Sequence, residues 1–167
     1  MTVRWPALAR AVSAASILAA MAGASPAAAS GGVVSGFDGS ILSTGAYLFF
    51  DRGSAVLPTV GERDLLRLMP QLRAGLAAQP AAERRLCVSG HTDEAGPEAG
   101  TPELAEARAR AVASRLMDHG LPPAQIVTRR FGARRPLRPG TDPELDGLNR
   151  FVRIGLAGYS TDGVAFS

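Results

Sequence analysis

The sequence has no lysine, a single cysteine and few aromatic residues. All 18 basic residues are arginine, and aromatic residues make up 5% of the chain. One cysteine excludes a disulfide within the chain, and we interpret Cys87 as a small buried side chain on a strand. We find no phosphate-binding loop, nucleophile elbow or cluster of metal-ligating residues. The sequence therefore gives no indication of a catalytic function, a cofactor or a metal.

The charge is nearly balanced. The 167 residues carry 18 basic and 15 acidic side chains, a formal net charge of +3. Arg4 and Arg10 lie in the first 29 residues, which contain no acidic side chain, so the remainder has 16 basic against 15 acidic residues. A net charge of +1 gives no indication that the chain binds nucleic acid.

The first 29 residues have the pattern of a secretory signal peptide. Two arginines precede an apolar run over residues 11–22, and three alanines at 27–29 suit cleavage, with 22–24 as a second candidate. The run is shorter than the roughly 20 residues of a membrane span. We predict an exported mature chain that starts near Ser30 and has no membrane span; an uncleaved anchor is the alternative.

The rest of the chain divides by composition. Residues 30–45 are rich in glycine and serine and predict a flexible lead-in. Residues 46–157 alternate apolar strand and helix patterns, which predicts an α/β fold, an α+β sandwich with helices packed on one sheet. Residues 158–167 read as a loose C-terminal tail.

Within this domain the spacing of apolar residues predicts six elements. They are strands over 46–50, 84–90, 125–132 and 149–154, and helices from about 59 to 79 and from 102 to 119. Thr59 and Glu62 are spaced as a capping box, and Thr101 suits the N-cap of the second helix. Pro70 predicts that the first helix is kinked or split.

One stretch combines a strand end with a helix. The predicted second strand ends in the stretch Gly90-His91-Thr92-Asp93, and Asp93 lies just past its end. Arg108 follows fifteen positions after Asp93, in the helix. An acid and a guanidinium brought together across a loop can hold a zwitterion, because the acid binds an ammonium and the arginine binds a carboxylate. The spacing of Arg108 to Leu104 and Ala111 predicts a position at the border of the buried helix face.

This stretch resembles the OmpA-like peptidoglycan-binding domain, which OmpA, the Pal lipoproteins and MotB share. The family pattern is G-H/Y-T-D followed by N-x-x-L-S-x-x-R-A, and residues 90–93 match its first part fully. The second part matches at Leu, Arg and Ala, while Thr101 replaces Asn and Ala105 replaces Ser. Residues 149–154 resemble its N-R-R-V-E-I strand, with Phe151 for the second Arg. The resemblance covers about residues 47–156.

The resemblance implies a β-α-β-α-β-β domain with helices on one mixed sheet. It implies non-catalytic, non-covalent binding to the diaminopimelate of the peptidoglycan stem peptide, tethering the cell wall to the outer membrane or to an envelope complex. Asp93 would take the ammonium of this ligand and Arg108 its carboxylate. The other residues that the resemblance assigns to the site are Thr92, Thr101, Asn149 and Arg150. No cysteine follows the apolar run, so the lipobox of Pal is missing.

Several alternatives stay open on the sequence. Asp93 and Arg108 can form a salt bridge that only ties loop to helix, and Asn149 and Arg150 can make structural bonds rather than ligand contacts. His91 and Asp93 form an H-x-D pair with no evident third metal ligand. The departures at positions 101, 105 and 151 also fit a drifted site in a scaffold for periplasmic protein partners.

Overall fold

The computed structural model describes residues 45–93, 101–137 and 146–157. The predicted signal peptide, almost all of the lead-in and the C-terminal tail lie outside these residues. Within the described part of the chain, no helix combines the length and apolar character needed to cross a membrane.

The described elements alternate as predicted. The strands are β1 (Ala46–Phe49), β2 (Leu86–His91), β3 (Ile126–Gly132) and β4 (Phe151–Leu156), and the helices are α1 (Thr59–Ala78) and α2 (Pro102–Asp118). Short 3₁₀ turns at Ala81–Glu83, Pro123–Gln125 and Asp146–Asn149 precede β2, β3 and β4. Two helices packed on a four-stranded sheet confirm the predicted fold class.

The sheet is mixed and has the strand order β1-β4-β2-β3. β4 pairs antiparallel with both β1 and β2, whereas β2 and β3 are parallel and are joined through α2. A parallel pair needs such a crossover connection. Because β2 is an inner strand, the residues that follow its end lie between β3 and β4, at the centre of one sheet edge.

The core lies between the helices and one face of the sheet. The predicted apolar face of α1 is buried, as is the small-residue stripe of α2. The members of this core include Leu65, Leu68, Met69, Leu72 and Leu76 from α1, Ala109, Val112 and Leu116 from α2, and Leu48, Val88, Val152 and Ile154 from the strands. Burial of this aliphatic surface is the main stabilising contribution to the fold.

The contact between α2 and β2 is especially close. A Cβ atom added to Gly90 would lie 1.8 Å from the carbonyl oxygen of Ala105. Only a residue without a side chain fits there, so Gly90 lets the first turns of α2 approach the end of β2. This approach brings Arg108 towards the residues that follow β2.

Two expectations for α1 were wrong, namely that Pro70 splits the helix and that Thr59 caps it. Pro70 does not split the helix. It has no amide hydrogen to donate to the carbonyl of Leu66, but Pro70 lies on the exposed face of the helix. Leu66 is 52% exposed, so water can bond its carbonyl. Thr59 is the first helical residue rather than a capping residue. Pro58 occupies the N-cap without a side-chain hydrogen bond, and the Glu62 amide donates to its carbonyl at 3.0 Å.

The last strand begins two residues later than predicted. Asn149 ends a 3₁₀ turn and Arg150 lies between that turn and β4, so neither belongs to the strand. The Arg150 amide donates to the Gly147 carbonyl at 3.4 Å, and the Arg150 carbonyl accepts from the Phe50 amide at 2.8 Å. These bonds fix Arg150 at the sheet edge where β2 ends.

Candidate ligand-binding site

Thr92 and Asp93 follow directly after β2 and are completely buried. The Thr92 amide donates to the carbonyl of Gly132 at 3.1 Å, which continues the pairing with β3 beyond the last residue of β2. Gly132 has φ +58°, a conformation in which side chains other than that of glycine are strained. The backbone that carries Asp93 is therefore fixed from the β3 side.

The carboxylate of Asp93 is bonded on one of its two oxygens. Its Oδ2 accepts from Arg150 Nη1 at 3.2 Å, and Arg150 Nε donates to the carbonyl of Phe50 at 3.3 Å. The Arg150 side chain is 16% exposed, so this is a largely buried ion pair. It joins the end of β2 to the end of β1 and the start of β4.

Two polar atoms beside this pair have no bonding partner among the described residues. They are Asp93 Oδ1 and Thr92 Oγ1, and both are buried. A buried polar atom without a hydrogen bond is unfavourable, and an unpaired carboxylate oxygen especially so. Each of the two atoms can therefore accept a hydrogen bond from a donor that reaches it.

Arg108 is held by main-chain carbonyls. Its Nε donates to Ser54 O at 2.8 Å, its Nη1 to His91 O at 3.2 Å and its Nη2 to Asp51 O at 2.9 Å. The guanidinium carbon lies 5.5 Å from the centre of the Phe50 ring. These bonds use three of the five N–H groups of a guanidinium. They join α2 to β2 and to the loop after β1.

The sequence was wrong about the position of Arg108. It predicted the border of the buried helix face, whereas the side chain is 0% exposed and ranks first among the fully buried side chains by size. Gly90 explains the difference, because the close approach of α2 to β2 encloses the guanidinium. The salt bridge considered between Asp93 and Arg108 is also replaced, since Arg150 is the cation bonded to Asp93 Oδ2.

His91 lies between two aromatic rings. It stacks on Phe151 at 4.1 Å and on Phe131 at 5.2 Å between ring centres, with interplanar angles of 14° and 23°. Throughout the described segments, no three His, Cys, Asp or Glu side chains come together as metal ligands. Phe151, which replaces an arginine of the family pattern, thus packs against the strand that carries the site.

The remaining predicted residues are Thr101 and Asn149. Thr101 is the N-cap of α2 but makes no side-chain cap bond, and Asn149 is buried next to Arg150. Sequence reasoning missed the carbonyl groups of Asp51 and Ser54. Backbone acceptors have no side-chain signature, and only the F-D-x-x-S pattern of residues 50–54 could have drawn attention to this loop.

Comparison with known proteins agrees with the fold and with the motif. The model of the OmpA family matches residues 49–150, more than half of the chain. The peptidoglycan-associated lipoprotein of Pseudomonas aeruginosa is 37% identical over 71 residues, 42% of this chain and 42% of that protein. Its counterpart in Pseudomonas putida is 36% identical over 70 residues, again 42% of each. The chain thus matches less than half the length of these relatives.

Solved structures share the architecture at lower identity. The peptidoglycan-associated lipoprotein of Burkholderia pseudomallei superposes with a TM-score of 0.54 at 23% identity, covering 65% of this chain and 87% of that one. The cell wall anchor of the T6SS from Pseudomonas aeruginosa gives 0.54 at 20% identity, covering 85% and 94%. The match of the family model over residues 49–150, together with this shared architecture, establishes that the chain belongs to the OmpA family.

Proposed function

We propose that this chain is a non-catalytic periplasmic protein that binds peptidoglycan non-covalently through the diaminopimelate of the stem peptide. Membership of the OmpA family supports the proposal, as does the similarity to two peptidoglycan-associated lipoproteins. In this proposal Asp93 binds the ammonium at the side-chain end of diaminopimelate, and Arg108 attracts the carboxylate on the same carbon.

The observation that carries the proposal is the state of Asp93. One carboxylate oxygen is bonded to Arg150, while Oδ1 has no hydrogen-bond partner in the described part of the chain. An ammonium has three donors, so it can bond Asp93 Oδ1 and the neighbouring Thr92 Oγ1 together. A hydrogen bond between charged groups contributes about 1.5–3 kcal/mol. Arg150 keeps the carboxylate in position for this contact.

Arg108 contributes in a different way from Asp93. Three of its N–H groups donate to main-chain carbonyls, which fix the position of a group that is always positively charged. A ligand carboxylate gains from that charge either by bonding the guanidinium directly or through the field at short range. In this proposal Thr101 and Asn149 supply further polar contacts to the ligand.

The role of such binding is to attach the cell wall to another part of the envelope. When several copies of the chain are held on one structure, they bind several stem peptides at once. The combined affinity for the wall is then higher than that of a single copy. We propose that the chain tethers peptidoglycan to the outer membrane or to an envelope complex, through a protein partner. The periplasm is the compartment in which this ligand and such partners meet.

Co-sedimentation with purified diaminopimelate-type peptidoglycan tests the proposal. We expect the wild type to pellet with the wall and Asp93→Asn to bind about tenfold more weakly or worse, because one charge-assisted bond is lost. Asp118→Asn is the matched control, because Asp118 is an exposed acid paired with Arg115. Equal binding by the Asp93 and Asp118 variants, both folded, would refute the assigned role of Asp93.

Binding to two types of peptidoglycan tests the proposed interaction of Arg108 with the ligand carboxylate. Peptidoglycan with lysine in place of diaminopimelate keeps the ammonium but lacks the adjacent carboxylate. We expect weaker binding to the lysine-type wall by the wild type and no such difference for a folded Arg108→Gln variant. Equal binding of the wild type to both walls would remove the carboxylate contact from the proposal.

One observation favours a second candidate, a scaffold for periplasmic protein partners without wall binding. Asp93 and Arg108 are both completely buried, so a ligand has to displace neighbouring atoms to reach them. If the folded wild type stays in the supernatant with both walls, the buried groups serve the fold. A co-purifying envelope protein would then identify the function.

A further inference from the structure

The sheet face opposite the helices is buried even though neither helix packs on it. We call it the helix-free face and define it by Phe49, Cys87, Ser89, His91, Phe151 and Arg153. Strand register places these residues together, since Phe49 pairs with Phe151 and Ser89 pairs with Arg153. None of the six belongs to the core cluster that α1 and α2 form with the sheet.

The burial of the short side chains shows that this face is covered. Ser89 is 1% exposed and Cys87 is 4% exposed, although each has only one heavy atom beyond Cβ. Their sheet neighbours shield them from the sides, but water reaches short side chains from above unless other atoms lie on the face. α1 and α2 bury the opposite set, which includes Leu48, Val88 and Ile154.

The backbone just before β1 lies against this face. Gly45 precedes β1 with φ +88°, and a Cβ added to it would lie 2.6 Å from Arg153 Nε. The chain that leads into β1 therefore already touches a side chain of the helix-free face. By contrast, Ala157, the first residue after β4, stays in the plane of the sheet, because its amide donates to Arg85 O at 2.8 Å.

The segment before Gly45 also has complementary chemistry. Residues 33–42 contain the apolar side chains of Val33, Val34, Phe37, Ile41 and Leu42, and one acid, Asp38. The sheet presents Arg129 and Arg153 on the two sides of Ser89, while the described strand residues of this face include no acid. A carboxylate near two guanidinium groups is favourable. Asp38 is the acid that this segment offers to the face.

We propose that residues 33–42 of this chain pack on the helix-free face, with Asp38 beside the two arginines. Twelve residues separate position 33 from Gly45, and an extended chain of that length spans up to about 40 Å. Four strands at about 4.8 Å spacing make a sheet roughly 15 Å wide between its outer strands, so the segment can cross the face completely. This packing gives residues 30–45 a structural role in place of the flexible lead-in expected from composition.

Cys87 provides a direct probe, because it is the single cysteine and lies on this face. In the full-length chain under native conditions, the rate of its modification by a thiol reagent such as dithionitrobenzoate reports how well the face is covered. We expect Phe37→Asp combined with Ile41→Asp to raise this rate at least tenfold. Asp38→Asn, which keeps the apolar residues, is the milder second variant and is expected to raise it about threefold.

Two controls separate this effect from others. Val112→Ala weakens the core on the opposite side of the sheet. The rate of Cys87 modification in this variant should therefore rise only by the amount that its lower stability to urea accounts for. Val164→Asp combined with Phe166→Asp changes the C-terminal tail and should leave the rate unchanged.

Each other outcome overturns the proposal. A faster rate only in the tail variant makes the tail the cover. If the rate of Cys87 modification in the wild type rises on dilution, and substitutions at 37, 38 and 41 do not change it, a second copy of the chain covers the face. Unchanged rates in both N-terminal variants without a concentration effect exclude residues 33–42.

Discussion

The two ends of the candidate site are built differently. At the acidic end, Asp93 bonds Arg150 with one oxygen and has no hydrogen-bond partner for the other in the described segments. At the cationic end, Arg108 donates to three main-chain carbonyls from two separate parts of the chain. The acidic end thus has capacity for a further donor, whereas the cationic end is part of the framework. Two residues that look equivalent in a motif therefore have different roles in the folded protein.

This difference decides how substitutions at each end are to be read. Loss of binding in an Arg108 variant is informative only if the stability of that variant is measured beside it. A change at Thr92 or Asp93 that keeps the shape of the side chain leaves the carbonyl bonds of Arg108 in place. The four predictions below test this comparison.

The largest effect is expected at Gly90, which sets the separation of the two ends. In Gly90→Ala the new Cβ would lie 1.8 Å from Ala105 O and 2.7 Å from its carbonyl carbon, and main-chain atoms cannot rotate away. We expect a loss of at least about 4 kcal/mol in the free energy of unfolding, above the usual range for overpacking. Urea titration measures it. Gly155→Ala, whose nearest new contact would be the Arg153 side chain at 3.6 Å, is the control and should cost less than about 1 kcal/mol.

The next largest effect is expected at Arg108. In Arg108→Ala three carbonyl acceptors lose their donor in a buried place, and each unsatisfied group is unfavourable. We expect a loss of about 3 kcal/mol in thermal or urea unfolding. Arg110→Ala is the matched control, because this arginine of the same helix is 72% exposed and should change stability by less than about 0.5 kcal/mol. Similar losses in the two variants would show that Arg108 is not part of the framework.

A smaller effect is expected at Arg150. Arg150→Gln removes the ion pair with Asp93 and weakens the bond to Phe50 O, but the side chain is partly exposed, so water can replace some of the lost bonds. We expect a loss of about 2 kcal/mol, below the range for a completely buried pair. Combining it with Asp93→Asn should give a coupling energy of about 1 kcal/mol. Strictly additive losses would indicate that Arg150 does not position Asp93.

The periodic parts of the fold could be predicted from the sequence, because apolar spacing in α1 and in the strands follows directly from which face is buried. Leu65, Leu68 and Leu72 recur at helical spacing and are buried for this reason. The fixed spacing between residues 90–93 and Arg108 also led us to expect that they lie close together, and Arg108 does bond the carbonyl of His91.

The contacts within the site could not be predicted in the same way. The acceptors of Arg108 include carbonyls of Asp51 and Ser54, more than fifty residues earlier in the chain, and any residue type offers a carbonyl. The bond from Arg150 to Asp93 likewise depends on the order β1-β4-β2-β3, which local patterns do not determine. Sequence patterns therefore located the charged residues but not their partners.

The smallest stability effect, and the most direct test of the acidic end, is expected at Thr92. Its Oγ1 is buried without a hydrogen-bond partner in the described residues, so Thr92→Val exchanges an unsatisfied hydroxyl for a methyl group of similar size. We expect unfolding free energy to stay constant or to rise by less than about 1 kcal/mol, since the desolvation cost of the hydroxyl disappears. Wall binding should fall about fivefold, the loss of one hydrogen bond of roughly 1 kcal/mol to the ligand. Thr128→Val, at an exposed position of β3, should change neither quantity. If Thr92→Val instead lowers stability and leaves wall binding intact, its hydroxyl serves the fold, and the acidic end is as much a part of the framework as Arg108.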